Sequence, residues 1–442
     1  MYQWYNSAMI QFRKFRWYIA VMLCLASGLN YLDRQTLSVL ADTIQKELRL
    51  STMDYSRITS SFLISYAVMY AVSGKLVDVL GTRRGFTLFA SGWSVAGILH
   101  GLANTGLQLG FCRFLLGATE PANFPAGVKA VSEWFPMHER ALAVGIFNAG
   151  TALGSAAAVP LASWIGLTWG WRYAFLITGA LGFIWVAAWA RLYHLPQRRP
   201  RLSDAHPRLS DADKKASVSN SPDEPPTVSV SIGDLLRMRE TWGCILARVC
   251  TDPISYFLFF WTPKYFQQER GFALADVGLY IWIPYIALTA GNISSGAIPR
   301  FLISRGWSVG RARKSTMLAV SCFMPVFCLL VTRVSSPTLA IILMTGIMFG
   351  HAAWGNITLP AEVFPTQVVG TISGFGGSLG AAAGAITQWY IGWAVQNVSF
   401  APVFAACSLM YLLAFGLVHW LIGDIGKIRK IGRAEITRQA GA

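Results

Sequence analysis

Apolar stretches of membrane-spanning length recur along the whole chain, separated by polar connections. A helix needs about 20 apolar residues to cross ~30 Å of hydrocarbon. Twelve such stretches lie near 17–38, 54–76, 85–104, 107–132, 140–166, 172–193, 241–267, 274–300, 315–333, 338–361, 367–395 and 400–423. The pattern predicts an all-α membrane protein in which each stretch is one transmembrane helix. Gly and Pro fall inside several of them, which a bundle tolerates because neighbouring helices re-satisfy the backbone. The rhythm breaks once. His194 to Met238 is rich in Pro, Ser, Asp, Arg and Lys, a composition that cannot bury a core. The expected organisation is therefore a six-helix bundle over 1–194, a flexible cytoplasmic linker over 195–238, a second six-helix bundle over 239–425 and a tail over 426–442.

Composition agrees with a membrane setting. Of 442 residues 54% are hydrophobic and 13% charged, about half the charged share of a soluble domain. The net charge of +16 would suit nucleic acid, but its placement does not. Lys and Arg gather before span 1, after spans 2, 4 and 8, between spans 6 and 7, and in the tail. Those are alternate connections, so the positive-inside rule puts both termini in the cytoplasm and accounts for the charge without nucleic acid. Basic tail residues also suit anionic lipid. Met1 to Phe15 contains no short apolar core with a small-residue cleavage site, so span 1 is expected to insert as an uncleaved anchor. The seven cysteines fall within the spans without paired metal-ligand spacing, and the six histidines form no HExxH or Cys/His pair. Neither an enzyme nor a bound metal or cofactor is expected.

The two halves repeat. Glu133-Trp134-Phe135-Pro136 closes span 4 and Glu362-Val363-Phe364-Pro365 closes span 10, and at the same offset Gly145 meets Gly374. Gly-rich helices follow in both halves. Parallel repeats of this size build two-bundle transporters with a substrate site between the bundles near the midplane.

Four charges stand inside otherwise apolar spans: Asp33, Arg34, Arg113 and Glu120. A charge at mid-bilayer costs ~2.5–3.5 kcal/mol on insertion scales, so it lines a cavity or finds a partner. Two cations beside two protonatable acids suggest an organic anion moved together with protons. Arg113 and Glu120 are seven apart and share a helix face about two turns, ~10 Å, from each other. Asp33 and Arg34 project ~100° apart, so one faces the cavity while the other bridges to a neighbouring helix.

Gly74-Lys75-Leu76-Val77-Asp78-Val79-Leu80-Gly81-Thr82-Arg83-Arg84-Gly85 resembles the signature loop of the major facilitator superfamily, with Thr82 where a basic residue often stands. Gly74, Asp78, Gly81, Arg83 and Arg84 would form its conformational motif. Asn30-Tyr31-Leu32-Asp33-Arg34 is similar to the N-Y-x-D-R element of the anion:cation symporter family. That family includes bacterial galactonate and hexuronate transporters and animal sialic acid and glutamate carriers. Arg113 through Glu120-Pro121 to Pro125 resembles its span-4 element, R-x-x-x-G-x-x-E-[AGP]-x-x-x-P. Thr251-Asp252-Pro253, Trp261-Thr262-Pro263-Lys264-Tyr265-Phe266, and His351 with Trp354 and Asn356 are similar to the bacterial sugar-acid branch.

The resemblance implies residue roles. Asp33 and Glu120 would be the proton-coupling pair, and Arg113 the main ligand of the substrate carboxylate. Arg34 would bind substrate or gate through Asp33. Tyr31 and Tyr66 would line the pocket. Asn148 and Thr151 would bond substrate hydroxyls or pack between helices. Trp261, Trp354 and Asn356 would form the opposite wall. His351 is read as a hydrogen-bonded packing residue with a pH sensor as alternative, and Asp252 as a helix-terminus residue or a coupling group. The implied whole is a monomeric proton symporter of the bacterial inner membrane importing a hexuronate or aldonate by alternating access. A proton antiporter exporting a metabolite or drug, sodium coupling and a transporter-like receptor are the alternatives. Span 5 lacks the Gly-Pro pair of many such antiporters.

Overall fold

The computed structural model describes residues 2–135, 137–193 and 231–426. Most of the expected linker, the tail beyond 426 and Pro136 lie outside the described residues. Described residues at the linker's far end form a short helix instead of a loop.

The chain is almost entirely helical. The first half contains α1 (Tyr2–Val39), α2 (Ala41–Leu48), α3 (Thr52–Leu80), α4 (Thr82–Leu102), α5 (Gly106–Thr119), α6 (Asn123–Trp134), α7 (Met137–Thr168) and α8 (Trp171–Leu192). The second contains α9 (Ile232–Arg237), α10 (Arg239–Arg270), α11 (Leu274–Tyr280), α12 (Trp282–Ser304), α13 (Val309–Arg333), α14 (Pro337–Ala353), α15 (Leu359–Val363), α16 (Thr366–Asn397) and α17 (Ala401–Ile422). Local chemistry sets several ends. Ser51 caps α3 in a reciprocal box with Asp54, and Gly271 ends α10 in the left-handed region. Gly81, at φ 78°, lets the chain turn from α3 into α4.

Ten helical segments among the described residues are long and apolar enough to cross a membrane. The other two expected spans are also helical. One is α4. The other is α5 and α6, joined by a 3-10 turn over Glu120–Ala122. The expected span 338–361 is likewise broken, α14 passing through Gly355 at φ 65° and a 3-10 turn over Asn356–Thr358 into α15.

The repeat seen in sequence is also a repeat of packing. In the first half α1 lies on α7, α3 on α5 and α4 on α8; in the second, α10 lies on α16, α12 on α14 and α13 on α17. The helix sets meet through α3 with α16, α7 with α11 and α12, and α1 with α10. The paired Glu residues behave alike. Glu133 accepts from Thr82 Oγ1 at 2.7 Å and from the Tyr193 hydroxyl, and Glu362 from Arg313 Nε at 2.8 Å. Each acid pins the end of its helix to the start of α4 or α13.

Small residues set the closest approaches. A Cβ on Gly154 would overlap the Gly28 backbone, and one on Gly150 the Cys24 carbonyl, so α1 and α7 touch backbone to backbone. Gly145, on the same helix, has open space at its Cβ position. Gly154→Leu is expected to cost at least ~1–3 kcal/mol by overpacking, read as a lower unfolding temperature in detergent. Gly145→Ala, which adds a methyl into free space within a helix, is expected to leave that temperature unchanged or raise it slightly.

Candidate functional site

The charges of α1 divide between two directions. Arg34 lies among aromatic rings of α1 and α3. Its guanidinium carbon lies 4.6 Å from the Tyr31 ring centroid, 5.1 Å from Phe62 and 5.0 Å from Tyr66. Nε and Nη2 both donate to Glu120 Oε2, at 3.0 and 2.6 Å. Glu120 is brought to Arg34 by the 3-10 turn, where Pro121 follows it. Asp33 points instead against Gly97 of α4 and lies beside Thr178 of α8. It is 2% exposed and neither carboxylate oxygen has a hydrogen-bond partner.

Arg113 sits behind Arg34. Its Nη2 donates to the Arg34 carbonyl at 3.1 Å, and its Nε and Nη1 are buried without a hydrogen-bond partner. Arg34 meets three of the lining rings, while Arg113 supports the backbone from which Arg34 extends and lies 6.0 Å from the Phe62 ring. Unpaired buried polar atoms are rare and call for a reason. Among those in this molecule are both Asp33 oxygens, Arg113 Nε and Nη1, and Glu120 Oε1, on groups marked in the sequence.

The lining continues across the interface. Tyr31 meets Phe259 of α10 edge to face at 5.7 Å. Tyr66 meets Tyr70 at 5.7 Å, and the Tyr70 ring lies 5.6 Å from the Arg248 guanidinium. Arg248 pairs with Asp252 one turn on, Nη2 to Oδ2 at 2.8 Å, and Asn356 donates to Thr251 Oγ1 at 2.6 Å beside them. Glycines of α16 make room: a Cβ on Gly377 would overlap Tyr70 and one on Gly380 would overlap Asp252. The structure thus brings together Tyr31, Arg34, Tyr66, Glu120 and Asn356, and adds Tyr70, Arg248 and Phe259; Asp252 joins them from the interior of α10, not from a helix terminus. Sequence reasoning missed Arg248 because it stands near the basic linker, although its i,i+4 spacing to Asp252 was the available signal.

The remaining candidates make the following contacts. Trp261 is fully buried, donating to Gln388 Oε1 at 2.7 Å and meeting Tyr55 edge to face. Trp354 donates to Ser321 Oγ at 3.0 Å inside the second helix set, against Tyr411. His351 Nδ1 is 2.6 Å from the Tyr411 hydroxyl, a hydrogen-bonded packing contact. Asn148 is exposed on α7, and Thr151 Oγ1 bonds the Asn148 carbonyl at 2.8 Å. In the signature loop Asp78 pairs with Lys129 at 2.7 Å and Arg83 Nε donates to the Ala190 carbonyl at 3.1 Å. Gly74 has Pro125 at 3.7 Å from its Cβ position, and Arg84 is exposed.

One end of the molecule, where α1 finishes, is sealed across the halves. Ser38 Oγ donates to the Phe259 and Phe260 carbonyls, both at 2.9 Å, and the Tyr55 hydroxyl to Phe260 at 2.6 Å. Ser60 Oγ donates to the Ala385 carbonyl at 2.9 Å, and the buried Lys264 ammonium to the Gln45 amide oxygen. Outside the spans, Arg172 and the Trp171 N–H hold the nearby Glu47 carboxyl below its usual range. At the other end Gly145, Gly296, Gly370 and Gly374 face open space. The contacts between the halves close the molecule at the end where α1 finishes.

Paired halves around a charged midplane site, sealed at one end, form the architecture of an alternating-access carrier. Residues 23–388 match the description "Major Facilitator Superfamily". The chain belongs to that superfamily. Its fold and relatives are those of transporters, not enzymes. This facilitator is 34% identical over 413 residues to a hexuronate transporter of Escherichia coli K12, covering 92% of this chain and 94% of that protein. It is 31% identical over 430 residues to a "Probable galactarate/D-glucarate transporter" of the same strain, covering 93% and 96%. Among solved structures it resembles a D-xylose-proton symporter, with TM-score 0.72, 15% identity, and 94% and 100% of the two chains covered. At that identity the likeness speaks for the facilitator fold alone. The chain is a multi-pass membrane protein of this fold.

Proposed function

We propose that the protein is a proton-coupled symporter that imports a sugar acid, a hexuronate or an aldonate, through the bacterial inner membrane. The observation that carries the reading is the Arg34–Glu120 pair, held at 2.6 Å and walled by Tyr31, Phe62 and Tyr66. An arginine fork matches a carboxylate bidentately, and aromatic faces suit the C–H face of a sugar. Glu120 occupies Arg34 through one oxygen. A proton on Glu120 removes the competing charge and frees Arg34 for the substrate carboxylate. Asp33, buried without a hydrogen-bond partner beside Arg113, serves as the second protonatable group. With both termini cytoplasmic, the open end faces the cytoplasm and the sealed end the outside. The hexuronate transporter among the relatives supports the substrate class.

The test is uptake of radiolabelled glucuronate, galacturonate and galactonate into proteoliposomes. Accumulation of at least one of them is expected under an inward proton gradient and not without it. Failure of all three with intact protein would move the assignment to another organic anion or to export.

A further inference from the structure

The two relatives described above carry names of different chemistry, a monocarboxylic sugar acid and a dicarboxylic one. The far wall of the site distinguishes these. We infer that the Arg248–Asp252–Asn356 group recognises the uncharged, hydroxyl-bearing end of the substrate and disfavours a second carboxylate. This rests on the reading that Arg34 takes the first carboxylate.

A substrate anchored there extends along the Tyr66 and Tyr70 rings, 5.7 Å apart, toward Arg248, 5.6 Å from Tyr70. Arg248 is already neutralised. Its Nε and Nη2 donate to Asp252 Oδ2 at 2.9 and 2.8 Å, and its Nη1 donates to the Ser373 carbonyl at 3.0 Å. Asp252 Oδ1 receives only a long contact from Asn356 Nδ2 at 3.5 Å. It is the strongest acceptor left on this wall. A sugar hydroxyl brings the O–H donor that Oδ1 lacks, and its own oxygen can accept from Asn356. An ionised carboxylate brings no donor and places a like charge against Asp252, an arrangement that is unfavourable at close quarters. Asp252 cannot swing aside easily, because α16 presses Gly380 against it and Gly376 against Arg248. The repulsive element is therefore built in.

The test is competition in proteoliposomes under an inward proton gradient. Labelled glucuronate uptake is challenged with unlabelled glucuronate, galactonate or galactarate. In the wild type galactarate is expected to compete at least about tenfold more weakly than the two monoacids, the signature of like-charge exclusion. Asp252→Asn removes that charge and is expected to narrow the galactarate-to-glucuronate ratio to within about threefold. Galactarate competing as well as glucuronate in the wild type would overturn the inference and leave sugar-acid transport standing. So would an unchanged ratio in an Asp252→Asn protein that still takes up glucuronate. If that variant fails to fold, the wild-type ratio decides alone. Absence of wild-type uptake of labelled glucuronate, galacturonate and galactonate would sink the functional reading and this inference with it.

Discussion

Glu120→Gln is expected to abolish accumulation of substrate against its gradient while retaining counterflow exchange. The amide keeps the size and a hydrogen-bonding oxygen near Arg34 but cannot exchange a proton, and it permanently mimics the neutral state. Arg34 is then free for the substrate carboxylate in both facing states, so binding and exchange persist while the gradient loses its lever. Counterflow of labelled sugar acid in preloaded vesicles, measured beside gradient-driven uptake, reads the two separately. Loss of exchange and binding together would contradict a coupling role and assign Glu120 to structure or to direct substrate contact.

Arg34→Lys is expected to lower kcat/KM for uptake at least about 30-fold, the lower end of the cost of truncating a buried hydrogen-bonded charge pair. Lysine keeps the charge but loses the planar fork that holds Glu120 Oε2 through two nitrogens and its stacking against Tyr31 and Tyr66. Arg113→Lys is expected to do less to substrate affinity, because Arg113 donates to the Arg34 carbonyl and meets the lining only at Phe62, 6.0 Å from its guanidinium carbon. A larger KM effect at Arg113 than at Arg34 would reverse this order.

Much of the fold was legible in the sequence because membrane burial is a one-dimensional signal. Length and apolarity mark a span whatever packs on it, and observed helix ends fall within a few residues of most expected ones. The breaks at Glu120–Ala122 and Asn356–Thr358 were not legible. Pro160, Pro253, Pro263 and Pro325 all stay inside continuous helices, so a proline or glycine in a span does not itself announce a break. At the site, the charge anomaly pointed to Asp33, Arg34, Arg113 and Glu120. Which of the α1 charges meets the aromatic lining depends on helix rotation, set by packing against α7, α8 and α10 that no local pattern encodes. Trp261 and Trp354 show the converse. Large aromatics near a suspected pocket are as easily absorbed by the seal and the core.

The pairing of charges inside each half has an electrical consequence. In the proposed carrier, once Asp33 and Glu120 have released their protons they offset Arg34 and Arg113, and Asp252 offsets Arg248, so the formal sum of the empty site is zero. Moving one elementary charge through the field costs about 2.3 kcal/mol per 100 mV, and the empty return stroke of these groups moves none. Voltage then acts only on the loaded stroke. A monovalent anion carried with one proton crosses silently, and each further proton adds one positive charge. The charge moved per turnover then equals the protons carried less one, and the ratio of transport current to substrate flux counts them.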